Sequence, residues 1–386
     1  GANYGAGNNG GYATTTTNGY SADDDYASAS SGAMGGSGGT GFGDGYVGGA
    51  GGTATAFAHA QSDHGHVAAT ARQIGGSGGD GRSGAKGGNG AASRLNNAVS
   101  GNTSGSLTLA QSAIGGYGGR TFSGQGGKGG DAVSTLTLSD IQASSLMVTL
   151  NAFGGAGGSV ASGTTSTAGT AGDAFVSSMI DSTATLGLSG SASGGAGGDG
   201  LSGYGGTGGG AAYSALTGTS SSGIASVSSH AAGGTVGRSA GAAEGGDAFA
   251  SASAASPTRA NATADATGGH LVTALAIATG TASGAAANAQ ALARSPGSRP
   301  NTIANATAIG KSLGEATGTA QASTQGSAGT AVAQFTAGET GQIAIATVSA
   351  PTTSVQGSVL AQANHAGAWF GPPPDFNNGQ AAYASV

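Results

Sequence analysis

The sequence predicts an all-β fold: a repetitive β-solenoid of about 40-residue units with stacked, polyglycine-like segments. Three observations predict it. Glycine clusters open at Gly35, Gly75, Gly115, Gly154, Gly194 and Gly233, at spacings of 40, 40, 39, 40 and 39 residues. Between clusters the chain alternates with period two, the side-chain period of a strand. The composition also leaves little else to hold a fold. Of 386 residues 83 are glycine, none is cysteine and 7% are charged. Leu, Ile, Val and Phe make up about 13%, below the level at which bulky side chains offset chain entropy. Order must then come from densely paired backbone groups.

Residues 1–31 read as an N-terminal cap or docking segment carrying Tyr4, Tyr12, Tyr20 and Tyr26. Residues 32–350 hold the repeat, about eight units whose last two, near Gly268 and Gly310, have decayed. A second glycine cluster follows the first by about a dozen residues, as at Gly48, Gly87 and Gly126. Each unit thus reads GGxGG, a short loop, GGxGGDA and about twenty residues of strand. In Thr53 to Ala60 the alanines 54, 56, 58 and 60 share one face. Asp131 to Leu138 and Asp247 to Ala254 repeat that pattern, and Ser145 to Leu150, Ser182 to Leu188 and Gln342 to Val348 suggest a second strand per unit. An inward face of alanine suits a thin solenoid whose sheets approach closely. Residues 351–386 read as a C-terminal cap or docking segment with Trp369, Phe370, Phe376 and Tyr383. Solenoid ends expose unpaired strand edges, so aromatic ends serve either as caps or as docking faces for a further copy.

Composition also excludes partners. The net charge is −6 and eleven Lys and Arg form no basic stripe, which argues against nucleic acid. No run of 18 apolar residues is present to span a bilayer as a helix. The absence of an initial Met or a signal-like segment reads as a mature secreted chain.

Motifs for chemistry are weak. GxSxG occurs at Gly237 to Gly241 and at Gly310 to Gly314, but so much glycine and serine produces such matches by chance. His59, Asp63, His64 and His66 offer imidazoles and a carboxylate that could suit zinc or copper, yet they occur in one unit only. The reading preferred here is a polar turn, with no metal and no cofactor. The aspartates Asp80, Asp131, Asp173, Asp199 and Asp247 come singly rather than every nine residues, so they read as turn caps, with calcium the alternative. Aligned on the second cluster, Thr55 matches Val133, Phe175 and Phe249. That breaks up any threonine array for ice, and Val133, Phe175 and Phe249 become candidates for lateral packing.

In GGSGGDGRSGAKGGNGAAS and GGYGGRTFSGQGGKGGDAVSTLTL the chain resembles the glycine-rich repeat surface proteins of Gram-negative bacteria. The resemblance covers about residues 32–350 and implies an exported matrix, sheath or adhesive role; it carries over no catalytic residue. The expectation is a non-enzymatic, extracellular or cell-surface structural subunit that partners itself, and cell-surface polysaccharide as a further partner. The alternatives are a monomeric adhesin, an ice-binding solenoid, or a β-helix enzyme acting on carbohydrate.

Overall fold

The computed structural model describes the chain apart from residues 1–3, 23–25, 162–165, 201–204, 239–242, 297–302, 313, 325–327, 338–341, 350–355, 366–380 and 386, with side chains described as far as Gln334 except at 140, 141 and 328. It is an all-β solenoid, and the described residues contain no helix.

Each coil contributes one strand to each of two facing sheets. The first coil holds β1 (Ala13–Ser21) and β2 (Ala27–Met34), followed by a two-residue strand, β3 (Gly41–Phe42). The second holds β4 (Ala54–Ser62) and β5 (Val67–Ile74), with β6 (Gly81–Arg82) lying beside β3. In the third, the first strand is broken into β7 (Ser93–Asn96) and β8 (Val99–Asn102), and β9 (Ser106–Ile114) follows. Then come β10 (Ala132–Ile141) with β11 (Ser145–Phe153), β12 (Ala174–Ser182) with β13 (Thr185–Ser193), and β14 (Ala212–Ser220) with β15 (Ile224–Ala232). β16 (Ala248–Ser256) and β17 (Arg259–Thr267) complete the seventh coil. The remaining strands are β18 (Leu271–Gly280), β19 (Ala286–Ser295), β20 (Ile303–Ser312), β21 (Glu315–Thr324) and β22 (Ala328–Ala337). β23 (Gln342–Ser349), β24 (Gln356–His365) and β25 (Ala381–Ser385) end the series.

Sheet one stacks β1, β4 and β8, then β7, β10 and every even-numbered strand to β24. Sheet two stacks β2, β5, β9 and the odd-numbered strands to β25, eleven in all. Both are parallel throughout and nearly free of register shifts, so each residue stands on its counterpart in the preceding coil. The strands predicted at Thr53, Asp131, Ser145, Ser182, Asp247 and Gln342 correspond to β4, β10, β11, β13, β16 and β23.

The repeat length changes along the chain, and here the structure departs from the sequence reading. Equivalent positions advance by 41 residues from Ala13 to Ala54 and by 42 from Ala132 to Ala174. After β16 they advance by 24, 32, 25 and 28 (Ala248, Val272, Ala304, Gly329, Gly357). The later coils have lost their glycine segments, and Gly310 is an inward-facing residue of β20 rather than a worn cluster. Units of fixed length therefore undercount the coils.

The glycine segments form a second body of the solenoid, continuing in line from the sheets. Their hydrogen bonds repeat every three residues. The N–H groups of Gly75, Gly78 and Gly81 donate to Ile114, Tyr117 and Arg120 one coil on, while those of Gly76 and Gly79 donate to Gly52 and Gly49 in the facing layer. A period of three with backbone pairing outside the segment is the geometry of a polyproline II bundle. Two layers of such segments lie so close that backbone meets backbone. A Cβ placed on Gly116 would stand 1.9 Å from the Gly76 carbonyl oxygen, and one on Gly130 2.0 Å from that of Ala91. Every third residue points outward, and there the sequence varies.

Between the sheets the core is thin. The middle coils bury Leu95, Leu107, Leu109, Leu136, Leu146, Leu150, Ile180, Leu186 and Leu216; the later ones bury alanine almost exclusively. Glycines face the larger side chains across the gap. A Cβ on Gly218 would lie 2.8 Å from Leu186 and Val227, and one on Gly190 2.9 Å from Leu216.

Candidate assembly surfaces

The turns joining the two sheets are tied by buried hydroxyls. Ser220 Oγ accepts the Gly223 N–H at 2.8 Å and donates to the Ala184 carbonyl of the preceding coil at 2.6 Å. Ser256 does the same with the Thr258 N–H (3.1 Å) and the Gly223 carbonyl (2.6 Å). Ser312 accepts from Gly314 and donates to Ala285. The second GxSxG serine is thus a turn clamp with its hydroxyl occupied; the first, Ser239, lies outside the described residues. A shallow depression of about 200 Å³, lined by Asp181, Ser182, Thr183, Thr219, Ser220 and Ser221, opens between two such turns. It is smaller than the pockets that enclose small ligands.

The glycine-segment aspartates all perform one task. Asp80, Asp131, Asp173, Asp199 and Asp247 accept the backbone N–H of Arg120, Asp173, Ala211, Arg238 and Leu271, each one coil further on, at 2.7–3.1 Å. They cap neighbouring coils rather than their own turns, which corrects the sequence reading.

The histidines are held in the same way. His59, His64 and His66 each place Nδ1 within 2.6–2.9 Å of a serine hydroxyl one coil on, at Ser100, Ser104 and Ser106. Asp63 gives its backbone carbonyl to Ser104. Among the described residues no three His, Cys, Asp or Glu side chains gather as metal ligands.

Two of the N-terminal tyrosines, Tyr12 and Tyr26, bind the first coil to the second. Tyr4 covers Gly43, Tyr12 donates to Thr55 Oγ1 at 2.9 Å, and Tyr26 stacks on His66 with ring centroids 5.3 Å apart. Tyr20 is 71% exposed. Trp369, Phe370 and Phe376 lie outside the described residues, as does the side chain of Tyr383; the Tyr383 backbone belongs to β25.

Two surfaces remain. The first is the outer edge of the first coil. The Ala13 N–H donates to Thr53, so alternation turns the N–H groups of Thr14, Thr16 and Asn18 away from β4. On β2 the Ala27 N–H donates to His66, which leaves the alternate set facing outward, with the Ser30 carbonyl taken by Thr17 Oγ1. Neither strand contains proline or a charged residue, the usual guards of an edge.

The second is the outward face of sheet one. Val133, Phe175, Tyr213 and Phe249 stand in one register column. Phe175 stacks on Tyr213 (5.0 Å, 4°) and Tyr213 on Phe249 (4.6 Å, 8°). Sequence alignment found this column but missed Tyr213, whose unit has a shifted second glycine cluster. Sheet two presents a polar face over the same coils, including His230, Asp265, Arg259 and Arg294.

No known family profile matches the chain, and no curated protein matches it. Among solved structures there is a match to a springtail antifreeze protein from Granisotoma rainieri, described as a bundle of nine polyproline type II helices. It is 20% identical, covering 51% of this chain and 90% of that one, with a TM-score of 0.14. At that score the match establishes no structural correspondence. No described helix is long and apolar enough to cross a membrane.

Proposed function

We propose that the chain is a structural subunit of an extracellular filament, matrix or sheath, elongating end to end by adding the coil of one copy to the coil of the next. The unguarded outer edge of β1 and β2 carries this reading. Every internal interface of the solenoid is a parallel, in-register ladder between like coils, so a further copy that continues the ladder makes the contact this chain already repeats ten times in sheet two. The work is mechanical: dense backbone pairing, serine and aspartate clamps between coils, and a hydrated Ser, Thr and Gly surface give a stiff rod. No catalytic step belongs to this reading. Cell-surface polysaccharide is a further partner that such a surface suits.

An ice-binding face needs a ladder of like hydroxyls. On sheet one the equivalent column runs Arg94, Val133, Phe175, Tyr213 and Phe249, which weighs against it.

The test is electron microscopy of the purified chain in neutral, calcium-free buffer, beside Thr16→Pro, which removes an outward N–H while leaving the β1–β4 ladder intact. Filaments of the parent chain that are lost in the variant support the reading. Dispersed short rods of the parent at high concentration overturn it.

A further inference from the structure

Across β10 to β20 the outward face of sheet one is organised in columns, and adjacent columns differ in height. The ridge Phe175, Tyr213, Phe249 runs beside a trough, two residues further along each strand, of Ser177, Ala215 and Ser251. At β18 the order inverts: the ridge column holds Thr273 and the trough column Leu275. Flanking columns carry Leu271 and Ile303 on one side, Ile277 and Ile309 on the other. Within these strands the charged outward side chains described are Asp181 and Lys311, both at the far turn. The Leu271 column is held in earlier coils by Asp131, Asp173 and Asp247, just ahead of β10, β12 and β16, whose carboxylates accept backbone N–H groups of the next coil.

We propose that this face pairs with the same face of a second copy, about a two-fold axis that runs along the solenoid between the ridge and trough columns. That operation keeps both rods pointing the same way and sets each coil on its counterpart. It lays Phe175, Tyr213 and Phe249 over the partner's Ser177, Ala215 and Ser251, and Leu275 over the partner's Thr273. The flanking columns exchange as well, bringing Leu271 onto the partner's Ile277 and Ile303 onto the partner's Ile309. Large meets small in four coils and apolar meets apolar in two. In the flanking columns of earlier coils Asp131, Asp173 and Asp247 face the partner's Thr137, Met179 and Ser253, so the self-complementarity lies in the ridge and trough and in the flanks of β18 and β20. Six coils at about 4.8 Å and four columns at about 6.7 Å cover about 770 Å² per copy, close to the roughly 800 Å² per partner of a stable interface. An axis across the rods would instead set ridge on ridge. The contact adds a lateral bond of unchanged polarity to the filament reading, and it forms whether or not the ends join.

Sedimentation velocity over a concentration series tests it, using the Thr16→Pro chain so that elongation does not intrude. Reversible pairs are expected. Ala215→Arg fills the trough from an outward position and should raise the apparent dissociation constant on the order of tenfold or more, while Ser228→Arg on sheet two leaves it unchanged. The chain has no cysteine, so linkage can report geometry. Tyr213→Cys mixed with Ala215→Cys should give disulfide-linked pairs under mild oxidation, and neither alone should do so as readily. Thr16→Pro that stays monomeric while the parent forms filaments sinks the lateral contact and leaves the end-to-end reading standing. Pairing unaffected by Ala215→Arg, or Tyr213→Cys linking to itself as readily as in the mixture, overturns the axis.

Discussion

Gln111 on β9 in sheet two reaches through the core and accepts the N–H of Ala98, from sheet one, at 2.6 Å. Its Nε2 donates to the Thr135 carbonyl at 3.1 Å and lies 3.3 Å from Ser134 Oγ. Ala98 lies where sheet one breaks between β7 and β8, beside Asn97 with φ of 47°. The break releases the Ala98 N–H, which a 1% exposed amide from the opposite sheet pairs instead, while the Thr135 carbonyl it also touches keeps the Asn97 N–H. Gln111→Leu keeps the volume and strands the buried Ala98 N–H, while the Thr135 carbonyl retains the Asn97 N–H, so it should cost about 1–3 kcal/mol. Chemical denaturation measures the loss. Faster amide exchange at Ala98 than in β10 would locate it, and exchange unchanged there would refute the role.

The glycine lattice makes a sharper prediction, because its tolerance depends on the side of the segment. Gly116→Ala drives a methyl into the Gly76 carbonyl with no side chain able to move aside. It should destabilise by about 3 kcal/mol, the upper end of what core overpacking costs. Gly32, on the outward face of β2, has open space for 4 Å around the point where a methyl would stand, and no positive φ. Gly32→Ala should be neutral or stabilise by about 0.4–1 kcal/mol. Equal effects of the two on thermal melting would contradict the layered packing.

Periodicity made the coil legible because two signals agree in this sequence: strand alternation, which buries alanine at every second position, and glycine spacing. Three things were hidden. The coils after β16 lost their glycines without losing register: Gly268 still stands at the coil position of Gly233, but the next glycine in the spacing, Gly310, is a strand residue. The role of the aspartates depends on a partner about 40 residues on, at the same height in the next coil, which no local turn rule reveals. Gln111 answers a break in another strand, and nothing around position 111 announces it. Tyr213 was missed for a simpler reason: aligning on glycine rather than on the strand displaced it from its column.

The aspartate caps predict indifference to calcium. Asp173 Oδ1 accepts the Ala211 N–H at 2.8 Å, while the Asp173 N–H is accepted by Asp131 at 3.1 Å, so consecutive carboxylates are spent on backbone. Asp173→Ala should lose about 0.5–1.5 kcal/mol, and Asp173→Asn, which keeps an oxygen acceptor, should recover most of it. Added calcium should leave the melting temperature unchanged. A clear calcium-dependent rise that Asp173→Asn abolishes would mean the carboxylates bind the ion instead.

The last prediction concerns acid. On the outward face of sheet two, Asp265 stands in register with His230, whose Nδ1 lies 3.7 Å from Oδ2, and Arg294 Nη1 lies 3.5 Å from Oδ1. The His230 imidazole holds the Asp265 carboxyl below its ordinary value of 3.8, opposed by partial burial and aided by the charge of Arg294. Because the folded pKa is depressed, the unfolded chain binds the proton more readily. The contribution to stability is therefore complete well above pH 3.8 and is lost as pH falls from there through the folded value. The side chain is 31% exposed, and solvent screening keeps the gain small. Melting temperature followed from neutral pH downward should fall less steeply below pH 4 in Asp265→Asn than in the parent chain, with the two curves parallel above about pH 5. Curves parallel at every pH would show that the three side chains are neighbours without electrostatic consequence.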